Sequence, residues 1–284
     1  MTAEARRPAS YARREVARRG IVSLVLLMIA VVSALPLYYV VATSFKSLTE
    51  YASSPFALPS ALSLSNFRAA WHAASIGTYM KNSIFISSAA VAISTTVAIL
   101  LAFSITFFRW RGRALTYNAC LILLAIPPLL LVIPIFEELA RVNLINSYLG
   151  IIGVYAAFTT PFAVYLLVAY MRGLPASVVE AAVLDGSGPI GLLTRVVVPL
   201  SLPAIATASV FSFVYCWNEF IYAFILLQDS SHRTLPAGLA SLQGRFFTDF
   251  PVLMAAVTLS VLPVIGLYVF FQRFLVRGIA VGVD

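Results

Sequence analysis

The sequence predicts an all-α, polytopic membrane protein, and three observations carry that prediction. Hydrophobic residues fill 61% of the 284 positions against 11% charged, and the mean hydropathy is +0.95, far from the balance of a soluble domain. The apolar residues fall in runs long enough to cross a ~30 Å hydrocarbon layer as helices. Arginines gather between alternate runs, the asymmetry that sets the orientation of a membrane chain.

Taken in order, the first twenty residues carry Arg6, Arg7, Arg13, Arg14, Arg18 and Arg19, and an apolar run from Ile21 to Val41 follows. This run exceeds a signal-peptide h-region and lacks a clear A-x-A cleavage site, so it is read as an uncleaved first span leaving a basic cytoplasmic N-terminus, residues 1–20. Residues 42–79 are polar and aromatic and belong outside. Span two is placed at 82–108 and ends in Arg109, Arg111 and Arg113, a short basic loop of the kind kept in the cytoplasm. Span three, 115–136, holds Pro127, Pro128 and Pro134, which remove backbone donors and must break or bend it. Irregular backbone at that depth needs protein or a wet cavity over it, so Pro127 and Pro128 mark a translocation-path helix or a kink that aids packing.

Span four is placed at 148–171, span five at 202–228 and span six at 251–271, with a cytoplasmic tail from 273 to 284. Inner segments then hold Arg6, Arg7, Arg13, Arg14, Arg18, Arg19, Arg109, Arg111, Arg113, Arg172, Arg195, Arg273 and Arg277. Outer ones hold only Lys46, Arg68, Lys81, Arg141, Arg233 and Arg245, so both termini are expected in the cytoplasm. The segment 172–201 is cytoplasmic by the same count. Within it, Leu174-Pro175 opens a short helix, Asp185-Gly186 closes it with a residue that tolerates positive φ, and Ser187 is positioned to cap a second helix with Pro189 in its first turn.

Several functions are excluded by residue type. The net charge of +8 sits at the ends of apolar runs, with no basic groove bearing aromatics, so nucleic acid is not a partner. Cys120 and Cys216 lie inside apolar spans without ligand spacing, which leaves no metal site or disulfide framework. Neither lysine sits in a Gly-Lys-Ser/Thr phosphate loop, so ATP, if it drives the protein, binds another chain. Ser187 as a hydrolase nucleophile lacks a base, because His72 and His232 belong to the opposite side of the membrane. Glu219, the most internal acid, fits a polar path beside Asn218 or a structural hydrogen-bonding role. A proton-coupled carrier or channel built on Glu219 is the alternative function.

The cytoplasmic Glu180-Ala181-Ala182-x-x-Asp185-Gly186 segment resembles the EAA motif of ABC importer permeases. The order of Ser44-Phe45-Lys46, Pro59, Asn66-Phe67, Asn82-Ser83, Ile133-Pro134-Ile135-Phe136, Pro161-Phe162, Leu174-Pro175, Trp217-Asn218-Glu219-Phe220 and Gln272-Arg273 resembles the carbohydrate-uptake, maltose-type family along nearly the whole chain. The resemblance implies a type I ABC importer permease architecture in a bacterial cytoplasmic membrane. Its implied partners are a second homologous permease, two ATPase subunits that hold ATP and Mg, and an external solute-binding protein. The implied solute is a sugar or sugar derivative, an importer of another solute being the alternative.

The same resemblance assigns Val179, Glu180, Ala181, Ala182, Val183, Asp185 and Gly186 to a coupling helix that docks on an ATPase. Small Ala181 and Ala182 allow close approach, Val179 and Val183 offer apolar contact, and Glu180 offers a carboxylate. Gln243, Arg245 and Phe246 are assigned to binding-protein contact. Leu202, where the family usually has a basic residue, and the tail Val281-Gly282-Val283-Asp284 depart from the family pattern and affect inner-face docking.

Overall fold

The computed structural model describes the backbone of residues 9–72, 75–245 and 249–280, and side chains within 19–72, 75–241 and 249–272. Among them there is helix and no strand. The order is α1 (Ala9–Ser44), α2 (Leu48–Ser53), α3 (Ser65–His72), α4 (Ile76–Phe107), α5 (Arg113–Ala125), a 3-10 turn (Pro128–Leu131), α6 (Val132–Arg141) and α7 (Tyr148–Arg172). Then follow α8 (Ala176–Leu184), α9 (Pro189–Leu192), a π turn (Leu193–Val197), α10 (Val198–Asn218), α11 (Ile221–Leu226), α12 (Leu235–Arg245) and α13 (Phe250–Ala280). Five of the described helical stretches are long and apolar enough to cross a membrane, and a bent pair, α5 with the segment through α6, makes a sixth if counted as one span.

The core is the parallel pair α4 and α7, with α10 packed on both. Their contact is lined by small residues, Ala90, Ala98 and Ala102 on α4 and Ala156 and Ala163 on α7, all buried. In lipid no hydrophobic drive separates helix from solvent, so close backbone approach and dispersion hold such a pair together. α13 packs on α1, α3 and α10. On the far side from the Arg-rich N-terminus, Asn82 of α4 donates to the carbonyls of Ser231 and Arg233 at 2.8 and 3.0 Å, and Ser83 accepts from the Leu235 amide at 2.7 Å, which seats α12 on α4. Gly238 makes that seat possible, since a Cβ there would run into the Tyr79 ring.

Two expected spans are interrupted. Span three is not one helix from 115 to 136: α5 ends at Ala125, and the segment from Pro128 through α6 turns away by 96°. The cause is the Pro pair. Pro127 drives Ile126 to φ −81, ψ 119, and Pro128 drives Pro127 to ψ 123, so neither can continue the helix. The outer loop expected from Glu137 is helical to Arg141. Span five does not run unbroken from 202 to 228 either. Its helix starts at Pro189, inside the segment read as the cytoplasmic loop, and stops at Asn218, where Glu219 is extended at φ −66, ψ 127. The last span also continues past 271, to Ala280.

Candidate functional site

The segment between α7 and α10 is built as a turn with a defined outer face. α8 closes in a Schellman arrangement: the Gly186 amide donates to the Val183 carbonyl and the Ser187 amide to the Ala182 carbonyl, both at 3.0 Å. Gly186 has φ +80, the left-handed conformation expected of it. Ser187 does not cap the next helix. Its amide is spent on the turn, and the extended residue before α9 is Gly188, at φ −69, ψ 172, with Pro189 at the first helical position. Pro175 stands just before α8 rather than inside it.

The predicted docking residues split between two faces. Val179 and Ala182, three apart on α8, pack against the chain's own core, a cluster that includes Met171, Leu192 and Val197. Both are half-buried there, turned toward the core and away from the exposed face of α8. Glu180, Ala181, Val183 and Asp185 are exposed, and two residues that the sequence reading did not single out dominate the surface: Leu184 is 87% and Ile190 78% exposed. Both are large apolar residues flanking Asp185-Gly186 in a loop assigned to water, a signal readable without coordinates.

Beyond the turn the chain enters the membrane without a break. Pro199 has no amide to offer the Arg195 carbonyl and its ring crowds that group, and the helix widens there to a π turn in which the Val198 amide reaches back to Leu193. The stretch Pro189–Asn218 is thus one 30-residue rod, about 45 Å long. Tyr170 of α7 braces it, donating to the Leu200 carbonyl at 3.2 Å.

At the far end of the rod the two interrupted spans meet. Glu219 caps α11, its Oε1 accepting from the Tyr222 amide at 2.9 Å and its Oε2 from the Ala223 amide at 3.1 Å. The buried Tyr155 hydroxyl of α7 donates to the same Oε2 at 2.8 Å. Tyr222, also buried, extends its own hydroxyl to the Pro128 carbonyl at 2.7 Å, one of the carbonyls left over by the break in span three. Glu219 and Pro128, read separately from sequence, are therefore joined through Tyr222, which the sequence reading missed and which only its place three residues after an interior acid could have flagged.

Asn218 and Pro127 stay outside this joint. Asn218 is exposed and its amide returns to the Val214 carbonyl, while Pro127 accepts only from Leu130 within the 3-10 turn. Three donors on one carboxylate match the structural hydrogen-bonding role expected of Glu219.

A cavity of about 350 Å³ opens beside the joint, walled by Ile126 and Pro128, Phe158 and Thr159 of α7, and Ser212 and Tyr215 of α10. The Ser212 hydroxyl is buried there without a partner. Of the external-face candidates, Gln243 and Arg245 fall in the last turn of α12, and Phe246 lies outside the described residues. No group of three or more His, Cys, Asp or Glu among the described residues could hold a metal ion.

Comparison with known proteins matches residues 94–281 to the family described as binding-protein-dependent transport system inner membrane component. The chain is 33% identical over 259 residues to the diacetylchitobiose uptake system permease protein NgcG of Streptomyces coelicolor, covering 90% of this chain and 86% of that one. It is 32% identical to the probable ABC transporter permease protein YurM of Bacillus subtilis, covering 92% and 86%. Among solved structures it is similar to a chain of a bacterial ABC transporter involved in the import of the acidic polysaccharide alginate, with a TM-score of 0.80, 25% identity, and coverage of 92% of this chain and 98% of that one.

Proposed function

The chain belongs to the family of binding-protein-dependent transport system inner membrane components, and from that membership we propose how the two ends of its long rod divide the task of import. It is the permease subunit of an ABC importer and not itself an enzyme, the ATPase being a separate subunit. A sugar or sugar derivative is the solute this reading favours, supported by relatives named for diacetylchitobiose uptake and alginate import. An external solute-binding protein delivers it, and the end of α12 with the residues after it, including Gln243, Arg245 and Phe246, is our assignment for that contact. A second homologous permease and two ATPase subunits complete the importer, with ATP and Mg held by the ATPases. The arginine distribution supports cytoplasmic termini in a bacterial cytoplasmic membrane.

The observation that carries the coupling role is the exposed ridge at the Schellman turn. Leu184 and Ile190 stand 87% and 78% exposed on either side of Gly186, with Glu180 and Val183 on the same outward side of α8. Large apolar side chains held outward on a rigid turn match a cleft in a protein partner, and Glu180 adds a carboxylate for a cationic group there. The inward pair Val179 and Ala182 ties α8 to the core, so displacement of the ridge moves the rod rather than bending a loop.

At the other end, the same displacement reaches the Glu219 joint. A shift of the α10 end drags the α11 cap, and through Tyr222 it loads the break at Pro128. The joint and the adjacent cavity are thereby the movable part of the translocation path. The aromatic walls of the cavity, Phe158 and Tyr215 among them, offer a sugar apolar faces to rest on.

Glu180→Lys tests the docking end. Copurification with the ATPase should fall and hydrolysis should no longer follow binding-protein addition, while membrane insertion is unchanged. Wild-type coupling in this variant would sink the assignment.

A further inference from the structure

The segment joining α2 to α3 is apolar where an aqueous loop would be polar. Residues 55–64 carry no charged side chain, and Phe56, Leu58, Leu62 and Leu64 are 81%, 71%, 77% and 65% exposed. Single exposed apolar residues need no explanation, but four within nine positions make a patch of the kind that meets another apolar phase.

This is not slack chain. Lys46, only 1% exposed, donates from Nζ to the carbonyls of Ser54 and Pro55 at 2.9 and 2.8 Å. The Glu50 carboxylate accepts from the Ser60 amide at 2.6 Å, and the Asn66 amide donates to the carbonyls of Ser44 and Lys46 at 2.9 and 2.7 Å. The polar groups of the region are turned inward to hold the backbone, and the apolar side chains are left pointing out.

α1 supplies a depth scale. Tyr39 lies nineteen residues beyond Gly20, the residue before the apolar run, which is about 28 Å along a helix. It therefore sits at the far edge of a hydrocarbon layer ~30 Å thick. The Phe56 ring packs 5.5 Å from the Tyr39 ring, so the patch lies at that same level. Aromatic side chains concentrate at this boundary.

We propose that residues 56–64 are an interfacial membrane anchor whose ligand is the lipid bilayer, with Phe56, Leu58, Leu62 and Leu64 entering the boundary between headgroups and acyl chains where α1 ends. The patch is continuous with α1, whose apolar stretch is unburied along its length. It also lacks the Arg, Tyr and Trp that dominate protein-binding hot spots. The anchor is tied to the helical body through Tyr51, which stacks on Phe250 of α13 at 5.0 Å. It holds the α2–α3 cap at the membrane surface while the rod and joint move.

The test uses the importer assembled with its own partners in phosphatidylcholine vesicles, with Leu62→Cys carrying an NBD label. Cys120 and Cys216 are 8% and 2% exposed, and the parent protein put through the same labelling fixes their background. The emission should be blue-shifted and quenched several-fold more by phosphatidylcholine with a nitroxide at carbon 5 of its acyl chain than at carbon 12, with little quenching by aqueous iodide. Adding Phe56→Ser and Leu58→Ser, both at exposed positions, should return the emission toward that of a label in water. Strong iodide quenching without nitroxide quenching would overturn the anchor. So would protection from both quenchers, since a protein partner would then cover the patch, and so would an emission indifferent to the two serine changes.

Discussion

Replacing Gly186 isolates the backbone contribution to the docking turn. A Cβ built there meets no atom within 4 Å, so substitution adds no clash, and the whole penalty comes from holding φ at +80. For alanine that penalty is roughly 1–2 kcal/mol, smaller for asparagine, which visits the left-handed region, and larger for β-branched valine. The turn is closed by two hydrogen bonds of about 0.5–1.5 kcal/mol each, so valine cancels most of what closes it. If the ATPase binds only the closed turn, its Kd rises as the closed fraction falls, so Gly186→Ala should raise it by up to about 5-fold, Gly186→Asn by less, and Gly186→Val by more than either. The assay is titration of the purified permease complex, immobilised in nanodiscs, with its ATPase subunits, alongside thermal unfolding to show that the membrane part is intact. An unchanged Kd for Gly186→Val, or an asparagine variant as impaired as the valine one, would refute the reasoning.

Opposite faces of α8 should respond in opposite ways: Leu184→Asp should abolish ATPase retention on a size-exclusion column without lowering the Tm of the permease, whereas Val179→Asp, which places a charge at a half-buried position packed on the core, should lower the Tm and the yield. Glu219→Gln leaves one oxygen to receive three donors and should destabilise the joint by about 1–3 kcal/mol, with Tyr222→Phe non-additive to it in a double-mutant cycle. Additive effects would mean that Glu219 and Tyr222 do not act as one unit. The Ser231 amide and side chain hold the exposed Asp229 carboxyl below the usual carboxylate range, so its contribution is present above the ordinary carboxylate pKa and is lost as pH falls through the lowered value. The protection of the Ser231 amide from hydrogen exchange, taken against the intrinsic rate at each pH, should fall in acid, and Asp229→Asn should remove that pH dependence.

Much of the fold was legible because membrane physics leaves few choices. An apolar run such as Tyr148–Arg172, bounded by Ser147 and Arg172, must satisfy its backbone internally and so must be a helix. The Pro127-Pro128 pair announced a break for the same reason. Its 96° turn was not legible, because that angle depends on what receives the freed carbonyls, and Tyr222 lies ninety-four residues away. The docking face was half legible: type and spacing put Glu180 and Gly186 at the turn, but Val179 and Ala182 face inward because the core reaches under α8, which no local pattern reports. The break at Glu219 was hidden by composition, since apolar residues run on both sides of Asn218-Glu219 and nothing local marks where the carboxylate takes up its amide donors.

The position of that break decides what the rod can transmit. A helix carries displacement along its axis well and stores little of it, because interiors packed to this density move as blocks rather than deform smoothly. Had span five continued through Glu219, a push at Ile190 would have carried α11 along with the rod as one piece. With the break, displacement is discharged where chain connectivity is one extended residue, and where Glu219 still fastens α11 by its two amides and Tyr155 by its hydroxyl. The joint is therefore the compliant element and the Schellman turn the stiff one. Loosening the turn should uncouple the ATPase without changing the path, whereas loosening the joint should leave ATPase docking intact and alter passage alone.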